Sequence, residues 1–260
     1  MEKQGLIKNF IKNKDYIFYY AGILLKNRVA GSYLGFLWLF IDPLMFMLIY
    51  SFVVQFIFNN SMPNFNLFVF VGITTWKLIS GTILNGPTSI VRNKAIFEQV
   101  YFHKFVYPTI YLVVNLYEFF IANSLILVLM LIAGVPFTWH ILEFIPITFV
   151  AFCFTYGITL IVAHLGVYFF DLRNILDFTL KFLFYLSPIM WAYEMIQYEW
   201  VNLLRVNPVS IIIQSYRNIF FYGISPNYIA LGCLLLISFG IVKIGYELIS
   251  KYEDEYGRVL

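Results

Sequence analysis

The chain is 260 residues long; 61% of them are hydrophobic and only 12% are charged. Soluble domains run at about 45–50% apolar and about 25% charged, so a water-soluble globule is excluded and lipid must be the main solvent. The formal charge of +3 is too small to suggest nucleic acid, and the placement of the few charges instead sets the topology.

Residues 1–33 come first. Charges are scattered through 1–14 with no apolar run between them, so no secretory signal is expected there. Leu6, Ile7, Phe10 and Ile11, then Ile17, Tyr20 and Leu24, recur at helical spacings beside Lys8, Lys12 and Lys14. This predicts an amphipathic interface helix on the inner membrane surface. It serves either as a charged anchor or as a face for a partner.

A spanning helix needs about 20 mainly apolar residues, and between 34 and 249 six segments qualify: 34–58, 67–86, 107–134, 143–170, 175–193 and 226–249. The expected fold is therefore an all-α integral membrane protein of six transmembrane helices. Asp42-Pro43 removes a hydrogen bond from the first span and should bend or break it, and Ser187-Pro188 repeats the device in the fifth. Lys77 in span two and Glu118 in span three reach similar mid-membrane depth. They read as an ion pair; the alternative is that Lys77 faces a conduit and meets an anionic substrate. Asp177 and Lys181, at i and i+4, read as a local pair.

Basic residues choose the sides. Lys3, Lys8, Lys12, Lys14, Lys26 and Arg28 precede the first span, Arg92, Lys94 and Lys104 follow the second, and Arg173 follows the fourth; loops 59–66 and 135–142 contain no Lys or Arg. The positive-inside rule makes the N-terminus, the 87–106 segment, 171–174 and the tail 250–260 cytoplasmic. The connection 194–225 is too long for a turn. A full crossing there would strand Arg217 in hydrocarbon and put Lys251 and Arg258 outside. Pro208, Gly223 and Pro226 punctuate it, so the expectation is two short re-entrant helices joined near Asn207-Pro208, dipping into the outer leaflet as a candidate gate.

The chemistry of an enzyme is missing. There is no G-x-x-x-x-G-K-[ST] phosphate loop, no G-x-S-x-G elbow and no metal-spaced pair among His103, His140 and His164. Cys153 and Cys233 sit in apolar runs and read as buried small hydrophobes. The chain is not expected to hydrolyse ATP by itself, nor to hold a metal or cofactor.

Several stretches then look familiar in order and spacing. Leu24-Leu25-Lys26-Asn27-Arg28, Gly31-Ser32-Tyr33-Leu34-Gly35-Phe36-Leu37-Trp38 and Asp42-Pro43-Leu44 resemble the opening of ABC-2-type permease subunits that export polysaccharides. Ser89-Ile90-Val91-Arg92-Asn93, Val100-Tyr101-Phe102-His103-Lys104 and Pro108 resemble that family's cytoplasmic segment. Phe169-Phe170-Asp171-Leu172-Arg173-Asn174-Ile175-Leu176, Phe184-Tyr185-Leu186-Ser187-Pro188-Ile189 and Asn207-Pro208 through Tyr216-Arg217 resemble its later signatures. His103 departs from the family's usual proline, Lys104 from arginine and Asp42 from asparagine.

The resemblance implies a homodimer in the bacterial cytoplasmic membrane, joined to two copies of a separate ATPase subunit that carries the ATP and Mg. Its cargo would be a polyprenyl-diphosphate-linked glycan of O-antigen, teichoic acid or capsule type. A drug, lipid or haem exporter of the same class is the nearest alternative, and a membrane glycosyl- or acyltransferase a more distant one. Arg92, Asn93, Ile96, Phe97, Glu98, Val100, Tyr101, Phe102, His103 and Lys104 would contact the ATPase. Ile96 and Val100 share a helical face, and the mixture of charged and apolar residues suits docking. Sugar rings pack on aromatic planes, so Tyr33, Trp38, Tyr185, Trp191, Tyr193, Tyr198 and Trp200, with Lys77, are candidates for a conduit; the same aromatics also suit membrane-interface belts. Asn207, Pro208 and Arg217 would belong to the gate.

Overall fold

The computed structural model describes residues 6–57, 62–95, 102–195, 198 and 201–260. Among them every regular element is helical. α1 spans Leu6–Val29, α2 Trp38–Phe52, α3 Phe65–Ser89, α4 Val106–Ala133, α5 Phe144–Tyr168 and α6 Leu172–Leu186. Two short helices follow, α7 at Val201–Leu204 and α8 at Pro208–Arg217; α9 covers Tyr228–Tyr252 and α10 Tyr256–Val259.

Helices dominate because lipid offers no partner for backbone N–H and C=O groups, so each segment must satisfy its own. With their flanking turns, Gly35–Ile57, Phe65–Ser89, Val106–Ala133, Trp139–Tyr168 and Tyr228–Tyr252 are long and apolar enough to cross a membrane. Five of the expected spans thus have counterparts within a few residues. The segment expected at 175–193 differs: α6 has 15 residues, short of the 20 or so a crossing needs. It stops because the residue before a proline is pushed out of the helical region, and Ser187 is extended, at φ −89° and ψ 146°. Asp42-Pro43 behaves otherwise. Pro43 lies early in α2, which runs on unbroken to Phe52, so the expected break is absent and at most one backbone bond is lost.

α3 is the axis of the molecule. It is buried along most of its length and packs against α2, α4, α5, α6 and α8. α5 lies against α3 on one side and α9 on the other. The helices approach at small residues: a Cβ added to Gly166 of α5 would lie 2.2 Å from the Pro87 carbonyl oxygen of α3, and one on Gly245 of α9 2.7 Å from Leu160 Cβ. Small residues set such close crossings in membranes, where packing rather than water exclusion drives association.

The buried side chains form two clusters. One gathers α3, the later half of α4, the earlier half of α5 and α8. The other gathers Ile17 and Ala21 of α1, residues 105–114, the later half of α5, Ile249 and Tyr256. Ile17 of the apolar stripe read in α1, with Ala21 beside it, is therefore fully covered by protein, while Ile11 of the same stripe stays exposed. In the 194–225 connection, Asn207 caps α8 by accepting a bond from the Val209 N–H at 3.0 Å, with Pro208 in the first turn. α8 runs into a π-helical turn, Asn218–Tyr222, that ends at Gly223 with φ +66°, a conformation that favours glycine.

Candidate functional site

Ionisable residues on apolar helices mark the place to look. The end of α1 and the helices α2, α3 and α4 enclose a cavity of about 440 Å³, lined by Arg28, Asp42, Lys77, Glu118, Asn85 and Asn115 among others. Lys77 Nζ pairs with Asp42 Oδ2, and Arg28 Nη1 pairs with Glu118 Oε1. The expected Lys77–Glu118 pair is thus corrected: both residues line one cavity, but each is bound to another partner. Arg28 reaches Glu118 because α1 packs along α4, and Asp42 reaches Lys77 because α2 packs along α3. Sequence reading treated Arg28 as a topological charge and Asp42 as part of a kink. Asp42, an acid inside a span, was itself the signal that a cation must be near.

Two cations and two carboxylates make the cavity polar with no net formal charge. Asn85 and Asn115 each donate to the carbonyl four residues back, at 2.8 and 2.7 Å. Gly81 leaves room for Asn115, whose Oδ1 would lie 2.9 Å from a Cβ there. Paired charges in a partly open cavity avoid the large penalty of an isolated ion in hydrocarbon.

A second cavity, of about 390 Å³, shares Lys77 and Ser80 with the first. Its wall is aromatic: Phe46, Tyr50, Trp76, Phe184 and Tyr185, with the Asp177–Lys181 pair (2.5 Å) at its edge. The Phe184 ring lies 5.4 Å from that of Tyr50 and 5.7 Å from that of Trp76, and Lys77 Nζ lies 5.9 Å from the Phe46 centroid. Of these five aromatics only Tyr185 was among the conduit candidates expected from the sequence.

The other expected conduit aromatics are dispersed. Trp38 lines the polar cavity and donates to Ser32 Oγ at 2.8 Å. Tyr33 is fully exposed. Trp191 donates to the Tyr185 carbonyl at 3.1 Å and meets the Tyr193 ring edge-on at 5.4 Å. Tyr193 donates to the Leu204 carbonyl at 3.3 Å under the Arg205 guanidinium. Tyr198 is exposed, and Trp200 lies outside the described residues.

Of the expected ATPase contacts, Ile96, Phe97, Glu98, Val100 and Tyr101 also lie outside the described residues. The flanks are held from within. Asn93 is buried and donates to the Ser89 carbonyl at 2.7 Å, Phe102 stacks on Tyr16 at 4.2 Å, and His103 Nδ1 lies 3.1 Å from Glu253 Oε1. The Lys104 N–H donates to the same carboxylate at 3.2 Å, and burial pushes the Lys104 ammonium pKa down while Glu253 opposes. Arg92 is exposed. Within the expected gate, Asn207 donates to Ser187 Oγ at 3.2 Å. Arg217 is completely buried, donating to the carbonyls of Phe68, Pro188 and Ile189 with its guanidinium over the Phe68 ring. It clamps α8 to α3 and to the Ser187-Pro188 corner. Among the described residues no group of three or more His, Cys, Asp or Glu could hold a metal ion.

Comparison with known proteins finds relatives that this chain matches over most of their length, among them the following. Residues 22–221 match the model of the ABC-2 type transporter family. The chain is 30% identical over 249 residues to the O-antigen export system permease protein RfbA of Myxococcus xanthus, covering 92% of this chain and 96% of that protein. It is 27% identical to the protein of the same name from Klebsiella pneumoniae, over 96% and 93% of the two chains. With the polysialic acid transport protein KpsM of Escherichia coli the identity is 24%, over 84% and 87%.

Proposed function

Because this chain belongs to the ABC-2 type transporter family, we propose that it is the permease subunit of an ATP-driven exporter of a polyprenyl-diphosphate-linked polysaccharide, of O-antigen or capsule type. It is a multi-pass protein of the bacterial cytoplasmic membrane. In this reading two copies form the conduit and two copies of a separate ATPase, carrying ATP and Mg, drive it. The chain crosses six times, with both termini cytoplasmic. α6 and the turn that follows it from Ser187 together make the fifth crossing, and 194–225 dips into the outer leaflet.

The observation that carries the reading is the position of Lys77, shared between a cavity of paired charges and a cavity walled by aromatics. Aromatic planes offer sliding contacts to sugar rings. An ammonium held by one exchangeable carboxylate can meet an anionic diphosphate.

The test is export in cells lacking their own exporter, supplied with this chain and its ATPase. Surface glycan should appear with the wild-type chain. Lys77→Met should still co-purify with the ATPase yet lose surface glycan, with lipid-linked glycan accumulating inside. Undiminished export by that variant removes Lys77 from the conduit; ATP hydrolysis by the purified chain, free of any other ATPase, overturns the permease reading itself.

A further inference from the structure

A third cavity, the largest of the three at about 990 Å³, lies away from the charged one, between the start of α1, α5 and α9. Its floor is apolar: Phe149, Phe152 and Cys153 of α5 face Phe239 and Val242 of α9. The polar groups within it are satisfied, since Tyr156 shares a 2.8 Å hydrogen bond with Thr109 and Asn9 of α1 donates to Tyr246 at 2.8 Å. One end is charged. Lys243, Glu247 and Lys251 repeat at i, i+4 and i+8 along the exposed edge of α9 and line the cavity. Glu253, at the same end, is already engaged by His103 and the Lys104 N–H.

We propose that this groove is a binding site for one anionic phospholipid of the phosphatidylglycerol type, with an acyl chain along Phe149, Phe152 and Phe239 and the phosphodiester at Lys243 and Lys251. Length and charge both point to that occupant. From Phe239 to Lys251 the rise of α9 is about 18 Å, close to the roughly 15 Å depth of one hydrocarbon leaflet. The apolar-to-charged gradient therefore runs in the sense of a single lipid, at whichever membrane face α9 ends. At the exposed edge two ammonium groups bracket one carboxylate, while the charge of Glu253 is answered by the neighbouring Lys104 ammonium; the edge is thus left with one excess positive charge, complementary to a phosphodiester, and Glu247 can accept from the headgroup hydroxyls. Lysines at the headgroup level whose stems lie along apolar surface are the usual carriers of such contacts.

The test uses the whole chain, purified in neutral detergent and stripped of lipid, then titrated with phosphatidylglycerol and in parallel with phosphatidylcholine, with occupancy read by native mass spectrometry. Phosphatidylglycerol should bind at one per chain and more tightly than phosphatidylcholine. Lys243→Gln with Lys251→Gln should weaken it about thirtyfold, from two phosphate contacts, and leave phosphatidylcholine unchanged. Lys8→Gln with Lys12→Gln, on the exposed face of α1 outside the groove, should have no such effect. With the wild-type chain, a phosphatidylglycerol carrying a photoreactive group in its acyl chain should label peptides containing Phe149, Phe152 or Phe239. Equal binding of the two lipids, equal loss from the two lysine pairs, or labelling confined to other helices overturns the site. None of these readouts involves ATP or glycan, so failure here is distinct from failure of the export reading.

Discussion

Arg217 and Lys77 are both cations on apolar helices, and the structure treats them oppositely. Arg217 is sealed, its planar guanidinium fanned across three carbonyls, a geometry an ammonium cannot reproduce. Gly72 is part of the same fit, since a Cβ there would lie 2.9 Å from the Ile189 oxygen and 3.0 Å from Arg217 Nη2. Arg217→Met should cost about 3 kcal/mol by leaving buried carbonyls unpaired, and Arg217→Lys should fall between it and wild type. Thermal unfolding in detergent checks the order, and a Met variant as stable as wild type removes the clamp from the account. Lys77 sits in an open cavity with Asp42. A double-mutant cycle of Lys77→Met and Asp42→Asn should show a coupling of about 1–2 kcal/mol, larger than the cycle with Glu118→Gln. The reverse ranking would restore Lys77–Glu118 as the pair.

Among the elements, the α3–α5 crossing leaves least freedom. The Gly166 backbone meets that of Pro87, with neither a flexible side chain nor a gap between them. Gly166→Ala must push the helices apart and should cost about 2 kcal/mol or more, read as a lowered unfolding temperature. Gly232→Ala, at a site with open space around it, should be close to neutral. The flanks of the 87–106 segment, expected from the family resemblance to receive the ATPase, are tied down at Asn93, Phe102, His103 and Lys104. Val100→Asp with Tyr101→Asp should leave the chain inserted yet abolish co-purification of the ATPase and glycan export together. Normal export with the ATPase retained would move the contact to α1.

At the scale of the whole molecule, orientation is the first quantity to measure. In a background of Cys153→Ser and Cys233→Ser, His140→Cys should react with an impermeant thiol reagent from outside intact cells and Asn174→Cys should not. Asn174 is exposed, so its silence reports sidedness; the buried Asn93 would not serve. Labelling at Asn174 from outside would invert the topology. The two buried clusters divide the molecule along the same axis, one gathered with α8 and one with α1 and α10, so both ends of the helix bundle are capped by short or amphipathic helices.

How much was legible beforehand follows from what each feature depends on. The apolar runs of five long helices, the turn at Asn207-Pro208 and the Asp177–Lys181 pair depend on neighbours within a few residues, and the chain alone determined them. The end of α6 was announced by Ser187-Pro188, the break expected in the fifth span, while the span drawn on to 193 followed a hydropathy window, which does not register the extended backbone that Pro188 imposes on Ser187. Which charge meets which was beyond reach for a deeper reason: helix rotation and the docking of α1 along α4 decide whether Lys77 faces Asp42 or Glu118, and the same hydropathy profile suits either. The aromatic wall at Phe46, Tyr50, Trp76 and Phe184 was hidden in the same way, since in a chain that is 21% aromatic every helix carries such residues. Composition and spacing thus determined the solvent and the segments, while the tertiary structure alone decided which faces meet, because packing in lipid turns on shape at the contacts and not on how apolar each helix is.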